Sequence, residues 1–179
     1  TANLLEKSGV DRVLAMDLHS AQIQGYFDIP CDHIYGSPVL IDYLETLSLE
    51  EVVVVSPDVG GVARARAFAK LMKDAPLAII DKRRSSHNVA ESLTVIGEVK
   101  NKTAILIDDM IDTGGTICSG ANLLKKEGAK RIFACASHAV FSPPSHERLS
   151  TKDLFEQVIV TNSIPCLLYT SPSPRDRLS

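Results

Sequence analysis

The chain has 179 residues, of which 45% are hydrophobic and 23% charged, and its formal net charge is −3. These values are ordinary for a globular domain long enough to bury a core. Nucleic acid and anionic membrane surfaces both select basic proteins, so the negative charge argues against either as a partner. No apolar run approaches the length of a membrane span. The four cysteines are far apart and form no C-x-x-C pair, which favours a reducing, cytoplasmic compartment.

Short apolar runs rich in β-branched residues predict strands that are buried on both faces. In chain order they are Val13–Met16, Val52–Val55, Leu77–Ile80, Ala104–Ile107, Ile132–Ala136 and Val158–Val160. Helical periodicity predicts helices at Pro38–Leu47, Gly61–Met72 and Thr116–Glu127, and the end of a further helix just before Gly9. Strands that alternate with helices indicate an α/β fold whose mainly parallel sheet is flanked by helices.

Polar or charged residues follow four of the predicted strands. Ligands of such folds collect at the carboxyl ends of the strands, so we expect these loops to converge on one side of the sheet. The loops are Asp17–His19, Ser56–Gly61, Asp81–Arg84 and Asp108–Thr116.

The last of these loops has the composition of a phosphate cradle. The Thr-Gly-Gly-Thr turn at Thr113–Thr116 lets successive N–H groups point into one concavity and adds two hydroxyl donors, and the helix that follows adds positive partial charge. Asp108 and Asp109 suit hydroxyl donors or a metal better than phosphate, and ribose supplies vicinal hydroxyls. A plain turn with an aspartate cap would explain one acid and one glycine, and it would leave the others unexplained.

Two stretches of this sequence resemble known families. ILIDDMIDTGGT resembles the phosphoribosyl-pyrophosphate-binding loop of type I phosphoribosyltransferases and related diphosphokinases. DLHSAQIQGYFDIPCD, from Asp17 to Asp32, resembles the signature of ribose-phosphate diphosphokinases along its whole length, and the resemblance to that family runs from Leu4 to Pro165. It implies a phosphoribosyltransferase-type, Rossmann-like domain and transfer of the diphosphoryl group of ATP to the anomeric hydroxyl of ribose 5-phosphate.

The same resemblance implies roles for particular residues. His19 and Asp58 would hold Mg²⁺, although magnesium prefers oxygen ligands and a histidine contact could be mediated by water. Lys82 and Arg84 would contact the transferring diphosphoryl group, while Arg83 would alternate to the other side. Ribose 5-phosphate would be bound by Asp108, Asp109, Asp112, Thr113, Gly114, Gly115 and Thr116.

Simpler interpretations of the same residues stay open on local grounds. His19 alone would be a structural histidine, the Ser56–Gly61 turn a plain helix start capped by Asp58, and the three cations from Lys82 a solvated turn. Arg64 and Arg66 are interpreted as a solvated helix face or a subunit contact. Asp17 is expected to face a polyphosphate or its metal.

The resemblance also bears on domain organisation, because members of the family have two similar α/β domains. Residues 1–30 are predicted to be a remnant of the first domain, and residues 31–165 most of the second, truncated at its carboxyl end. The tail at residues 166–179, CLLYTSPSPRDRLS, departs from the family pattern and is predicted to be translated adaptor sequence, with a natural disordered tail as the alternative. The complete protein is expected to form homo-oligomers, and this piece alone is expected to be inactive.

Two other functions are weighed against this one. A type I phosphoribosyltransferase of nucleotide salvage would need a base-recognition hood, and the sequence shows none. A non-catalytic regulatory homologue that binds the synthetase would be expected to alter the Lys82–Arg84 region, which is intact here.

Overall fold

The computed structural model describes residues 1–83 and 92–165 and has the predicted α/β architecture. The strands are β1 (Val13–Met16), β2 (Cys31–Ile34), β3 (Val52–Ser56), β4 (Leu77–Arg83), β5 (Ser92–Ile96), β6 (Thr103–Ile111), β7 (Arg131–Ala139) and β8 (Gln157–Val160). Six of them form the main sheet in the order β5-β4-β3-β6-β7-β8, in which only β5 runs antiparallel to its neighbour. The prediction of a mainly parallel sheet is confirmed.

Helices cover both faces of this sheet. In chain order, the helices of the described residues are α1 (Ala2–Lys7), α2 (Ser37–Thr46), α3 (Val62–Leu71), α4 (Gly115–Lys126) and α5 (Ser145–Leu149), with a 3-10 helix at Ala21–Tyr26 outside the main sheet. The alternation of side chains along β3 divides the core into two layers. Val54 packs with α2 and α3 on one face, whereas Val53 and Val55 pack with α4 on the other, and all three are fully buried. Parallel strands covered on both faces account for the continuous apolar runs in the sequence.

Two strands were not predicted, for different reasons. β2 has the sequence CDHI, whose mixed polarity hides a strand, and it is only partly buried. β5 is an edge strand that pairs with β4, from the pair Ile79 and Ile96 to the pair Arg83 and Ser92. Its two inward residues, Leu93 and Val95, pack against the core, but the polar run before it dominates that part of the sequence.

The first strand lies outside the main sheet, so the expected convergence of four loops on one sheet needs correction. β1 pairs in parallel with β2 in a separate two-stranded sheet. The carboxyl end of this small sheet docks on β7, where the Asp17 carboxylate accepts hydrogen bonds from the Ser137 hydroxyl and from the Gly36 N–H at 2.7 Å. A Cβ at Gly36 would lie 2.8 Å from the Ser137 Oγ, so this close approach requires glycine.

Candidate active site at the carboxyl edge of the sheet

The strands β6 and β7 project beyond their neighbours at the carboxyl edge. β6 pairs with β3 as far as Leu106, but its pairing with β7 continues to Ile111. The sequence pattern predicted that Asp108 and Asp109 follow the end of a strand. In the structure they lie within β6. Their position on a projecting pair of strands leaves room for other loops to reach them from both sides.

Two basic side chains reach the acidic pair. The Arg64 Nη1 atom, from the first turn of α3, lies 3.1 Å from the Asp108 Oδ1 and 3.2 Å from the Asp109 Oδ1. The His19 Nδ1 atom lies 2.9 Å from the Asp109 Oδ2. Asp109 is almost fully buried and both of its carboxylate oxygens have partners, whereas the Asp108 side chain keeps 24% of its surface exposed.

The two adjacent carboxyl groups differ in acidity. Burial, together with the neighbouring Asp109 carboxylate, raises the pKa of Asp108 to about 7. Burial also acts to raise the pKa of Asp109, but hydrogen bonds with Asp108 and His19 and the positive charge of Arg64 outweigh it, so that pKa lies below its ordinary value. The surroundings therefore favour the ionised form of Asp109 and disfavour that of Asp108.

The Arg64 contact corrects the interpretation of α3. On the helical pattern alone, Arg64 and Arg66 were both interpreted as a solvated helix face or a subunit contact. Only Arg66 is exposed, while the Arg64 side chain keeps 21% of its surface exposed and is paired with two carboxylates. Helical periodicity alone could not reveal this, because the partners come from a strand more than forty positions further on.

The Ser56–Gly61 loop between β3 and α3 presents the exposed carboxylate of Asp58 at the start of the helix. The Asp58 Oδ1 accepts a hydrogen bond from the Gly61 N–H at 2.7 Å, and the Ser56 hydroxyl donates to the Asp58 carbonyl at 2.7 Å. These bonds hold the loop in shape at the start of α3.

The residues expected to hold magnesium offer only part of a coordination shell. In residues 1–83 and 92–165, no group of three or more His, Cys, Asp or Glu side chains is arranged to hold a metal ion. The exposed His19 ring uses Nδ1 toward Asp109, and the exposed Asp58 carboxylate is one oxygen donor group. This donor set fits Mg²⁺ only when water and substrate oxygens complete the octahedron, as is common for magnesium at phosphate sites.

The Thr-Gly-Gly-Thr turn joins the end of β6 to the start of α4. Gly114 is the N-cap of α4 and has a φ of 74°, in the left-handed region that favours glycine. The turn therefore directs the start of a twelve-residue helix toward the carboxyl edge, where Asp112 is exposed. Gly115 and Thr116 form the first turn of α4.

An arginine that no sequence pattern indicated contacts this turn. The Arg148 Nη1 atom, from α5, donates a hydrogen bond to the Thr113 carbonyl at 3.1 Å. A Cβ at Gly115 would lie 3.2 Å from the same nitrogen, so the guanidinium lies directly beside the turn. No local signal in the sequence points to Arg148, because it is brought there by the packing of α5 against α4.

The three remaining predicted residues have different outcomes. Lys82 is an exposed residue of β4, paired with Leu93 of β5, so the segment expected to open a loop still belongs to the strand. Arg84 lies outside the described residues. Asp17 is 5% exposed and engaged with Ser137 and Gly36, which corrects the expectation that it faces a polyphosphate or its metal.

Comparison with known proteins identifies the family. A model of the phosphoribosyl transferase domain matches residues 39–170. The chain belongs to the phosphoribosyl transferase domain family. Within it, the chain is 94% identical over 167 residues to the ribose-phosphate pyrophosphokinase of Prochlorococcus marinus subsp. pastoris, covering 93% of this chain and 50% of that protein. It is also 73% identical to the ribose-phosphate pyrophosphokinase of Synechococcus elongatus, covering 92% of this chain and 50% of the relative.

Solved structures with related names share the fold of this chain. The phosphoribosylpyrophosphate synthetase from Mycobacterium smegmatis matches with a TM-score of 0.84 and 46% identity, over 92% of this chain and 53% of that one. Adenine phosphoribosyl transferase from Trypanosoma brucei shares the fold, with a TM-score of 0.52 and 17% identity over 75% of this chain and 70% of that one. This phosphoribosyl transferase-type chain spans about half the length of the curated relatives it matches.

Proposed function

We propose that this chain is the part of a ribose-phosphate diphosphokinase that binds ribose 5-phosphate. One observation carries the proposal: the Asp108–Asp109 pair and the Thr113–Thr116 turn lie on the projecting end of β6 and at the helix start that follows it. Ribose 5-phosphate carries hydroxyls at one end and a phosphate at the other. Carboxylates beside an anion cradle match both ends of this ligand.

The complete enzyme would transfer the diphosphoryl group of ATP to ribose 5-phosphate, for nucleotide biosynthesis. The anomeric hydroxyl would attack the β-phosphorus, and AMP would leave, giving phosphoribosyl pyrophosphate. Asp108 and Asp109 would orient the sugar through its other hydroxyls, while Asp112, Thr113, Gly114, Gly115 and Thr116 would hold the 5-phosphate. Catalysis of this kind rests on positioning and on compensating charge, and the residues at this edge of the sheet are suited to both tasks.

Magnesium and cations would complete the site. His19 and Asp58 would hold Mg²⁺ together with phosphate oxygens, and the bound ion would offset negative charge on the diphosphoryl group. Lys82 and Arg84 would lie next to the transferring group and stabilise charge as it shifts toward the leaving AMP. Support for Lys82 in this role is its exposed position near the carboxyl end of β4, beyond the last pairing with β3 at Ile79.

The finer properties of the complete protein are proposals as well. Homo-oligomers are supported by large apolar side chains exposed on and near the small sheet, including Leu14 and Tyr35. A cytoplasmic location is supported by the described cysteines Cys31, Cys118 and Cys135, all of which are free thiols. The structure contains, within residues 1–83 and 92–165, no helix that is long and apolar enough to cross a membrane. We expect neither nucleic acid nor a membrane as a partner.

Calorimetry on the isolated chain tests the binding part of this proposal. Wild type should bind ribose 5-phosphate in the presence of Mg²⁺, and Asp112→Ala should bind it more weakly. The isolated chain should release no AMP from ATP, since about half of the relatives' length is absent. A folded chain with no affinity for ribose 5-phosphate would refute the proposed site.

A chimeric enzyme, here called the exchange enzyme, tests the reaction. Residues 1–165 replace the corresponding segment of the full-length Prochlorococcus marinus relative, and ribose-5-phosphate-dependent AMP release is measured. Robust AMP release supports the diphosphokinase. An active site that instead consumes phosphoribosyl pyrophosphate and a free base would favour the salvage phosphoribosyltransferase, and a folded but inactive enzyme would favour the regulatory homologue.

A further inference from the structure

Arg64 is unusual among the basic residues of α3 because it is directed toward the site. It is the third residue of the helix, and its side chain contacts carboxylates of both Asp108 and Asp109. Arg66, two positions later, is exposed. Residues two positions apart project on opposite sides of a helix, so the two arginines offer the same chemistry on different faces.

The contacts of Arg64 restrict both carboxylates. Asp109 is held at Oδ1 by Arg64 and contacted at Oδ2 by His19, and these contacts restrict the rotation of its side chain. The Asp108 Oδ1 accepts hydrogen bonds from the Arg64 Nη1 at 3.1 Å and from the Asp109 N–H at 2.9 Å. Two acceptors fixed in this way are ordered before a ligand arrives, and a ligand then loses less free energy in ordering them.

Arg64 also lies close to the Ser56–Gly61 loop. A Cβ placed on Gly61 would be 3.9 Å from the Arg64 Nη1 and 3.5 Å from the Asp58 Oδ1. The same guanidinium therefore neighbours the Ser56–Gly61 loop and touches the acidic pair. Its positive charge also offsets two adjacent carboxylates that would otherwise repel a phosphorylated sugar.

We propose that Arg64 is a positioning residue that holds Asp108 and Asp109 as fixed acceptors for the sugar hydroxyls, and so sets the preference for a hydroxylated sugar phosphate. This role rests on the proposed function. It assigns Arg64 no contact with the phosphate, which belongs to the Thr113–Thr116 turn. The two ends of the ligand should therefore respond differently when Arg64 is replaced.

Three probes separate these ends: ribose 5-phosphate, 2-deoxyribose 5-phosphate and inorganic phosphate, each titrated calorimetrically into the 179-residue chain. Wild type should bind ribose 5-phosphate more tightly than the deoxy sugar. Arg64→Gln should weaken ribose 5-phosphate binding by roughly tenfold or more, the scale of hydrogen bonds to charged groups. The ratio between the two sugars should fall toward one, while the affinity for inorganic phosphate changes less than about threefold.

Matched variants complete the test. Arg66→Gln removes an equivalent charge from the exposed face of α3 and should leave all three affinities near wild type. Arg64→Lys keeps the charge without the planar fork and should give intermediate discrimination. An unchanged sugar ratio in Arg64→Gln overturns the proposal, and so does an equal loss of affinity for all three probes, which indicates a purely structural role. A wild-type chain that binds inorganic phosphate but neither sugar would instead refute the proposed function from which this role derives.

Discussion

The His19 Nδ1 lies 2.9 Å from the Asp109 Oδ2, although 90 positions separate the two residues along the chain. The contact joins the loop after β1, outside the main sheet, to the projecting end of β6 inside it. His19 is 74% exposed and Asp109 almost fully buried, so the pair connects the surface of the site to its interior. A metal-bound substrate near His19 would thus lie next to the residues proposed to orient the sugar.

Lys82→Ala in the exchange enzyme should lower kcat by roughly 10²-fold or more, the scale on which lost electrostatic stabilisers act. Lys82 belongs to β4, and its pairing with Leu93 holds the backbone that carries the side chain in place before the reaction. The KM for ribose 5-phosphate should change much less, because that substrate is proposed to bind at Asp108–Thr116.

Steady-state kinetics of Arg83→Ala provide the matched control for this measurement. Arg83 is the neighbouring residue of β4 and carries the same charge, yet its replacement should be mild. If Arg83→Ala lost most of its kcat while Lys82→Ala kept a kcat near wild type, the roles in this strand would be assigned wrongly.

Arg148→Ala should weaken the binding of inorganic phosphate to the isolated chain by about three- to tenfold. The guanidinium donates to the Thr113 carbonyl and lies beside Gly115, so its loss frees the turn and removes a positive charge from its side. Lys152→Ala, an exposed cation four residues later, is the control and should leave phosphate binding unchanged. Equal phosphate affinities for wild type and Arg148→Ala, measured by calorimetry, would argue against this support.

The acidic pair should make stability depend on pH. The pKa of Asp108 rises from its ordinary value of 3.8 to about 7 on folding. Between these values the folded chain retains a proton that the unfolded chain has released, so the free energy of unfolding should fall as the pH rises from about 4 to about 7. The lowered pKa of Asp109 acts in the opposite sense, and its contribution is lost only below pH 4.

Asp108→Asn tests this dependence because it removes the titrating group and nearly preserves its shape. Urea unfolding at several pH values should show a flatter profile between pH 4 and pH 7 for the variant than for wild type. Identical slopes would mean that Asp108 does not take up the proton.

Gly36→Ala should destabilise the chain by about 1–3 kcal/mol, the usual cost of forcing extra atoms into a packed region. The new Cβ would lie 2.8 Å from the Ser137 Oγ and 3.1 Å from the Asp17 Oδ2, at the junction between the small sheet and β7. Gly25→Ala is the control, because a Cβ there would meet nothing within 4 Å. Both variants are unfolded in urea. Equal stabilities of Gly36→Ala and Gly25→Ala would contradict this view of the junction.

Local sequence patterns determined much of this fold. The predicted strand Val13–Met16 has the observed bounds, and Val52–Val55 differs by a single residue from the observed Val52–Ser56. For β3 the reason is physical, since a strand covered on both faces must be apolar throughout, and the apolar residues of a helix that covers a sheet must recur every three to four positions. The strand β1 is equally apolar in sequence, although its Leu14 is exposed. The Thr-Gly-Gly-Thr turn was equally visible, because a left-handed residue at its centre favours glycine, and Gly114 has that conformation. Its role in binding phosphate stays a prediction.

Only the tertiary structure decided which charged residues meet. Arg64 and Arg66 are indistinguishable in a helical pattern, yet Arg64 reaches Asp108 and Asp109 while Arg66 stays in solvent. Arg148 reaches the Thr113 carbonyl through the packing of a short helix. Such contacts depend on the order of strands in the sheet and on how far β6 and β7 project, and neither is encoded in the residues on either side of an arginine.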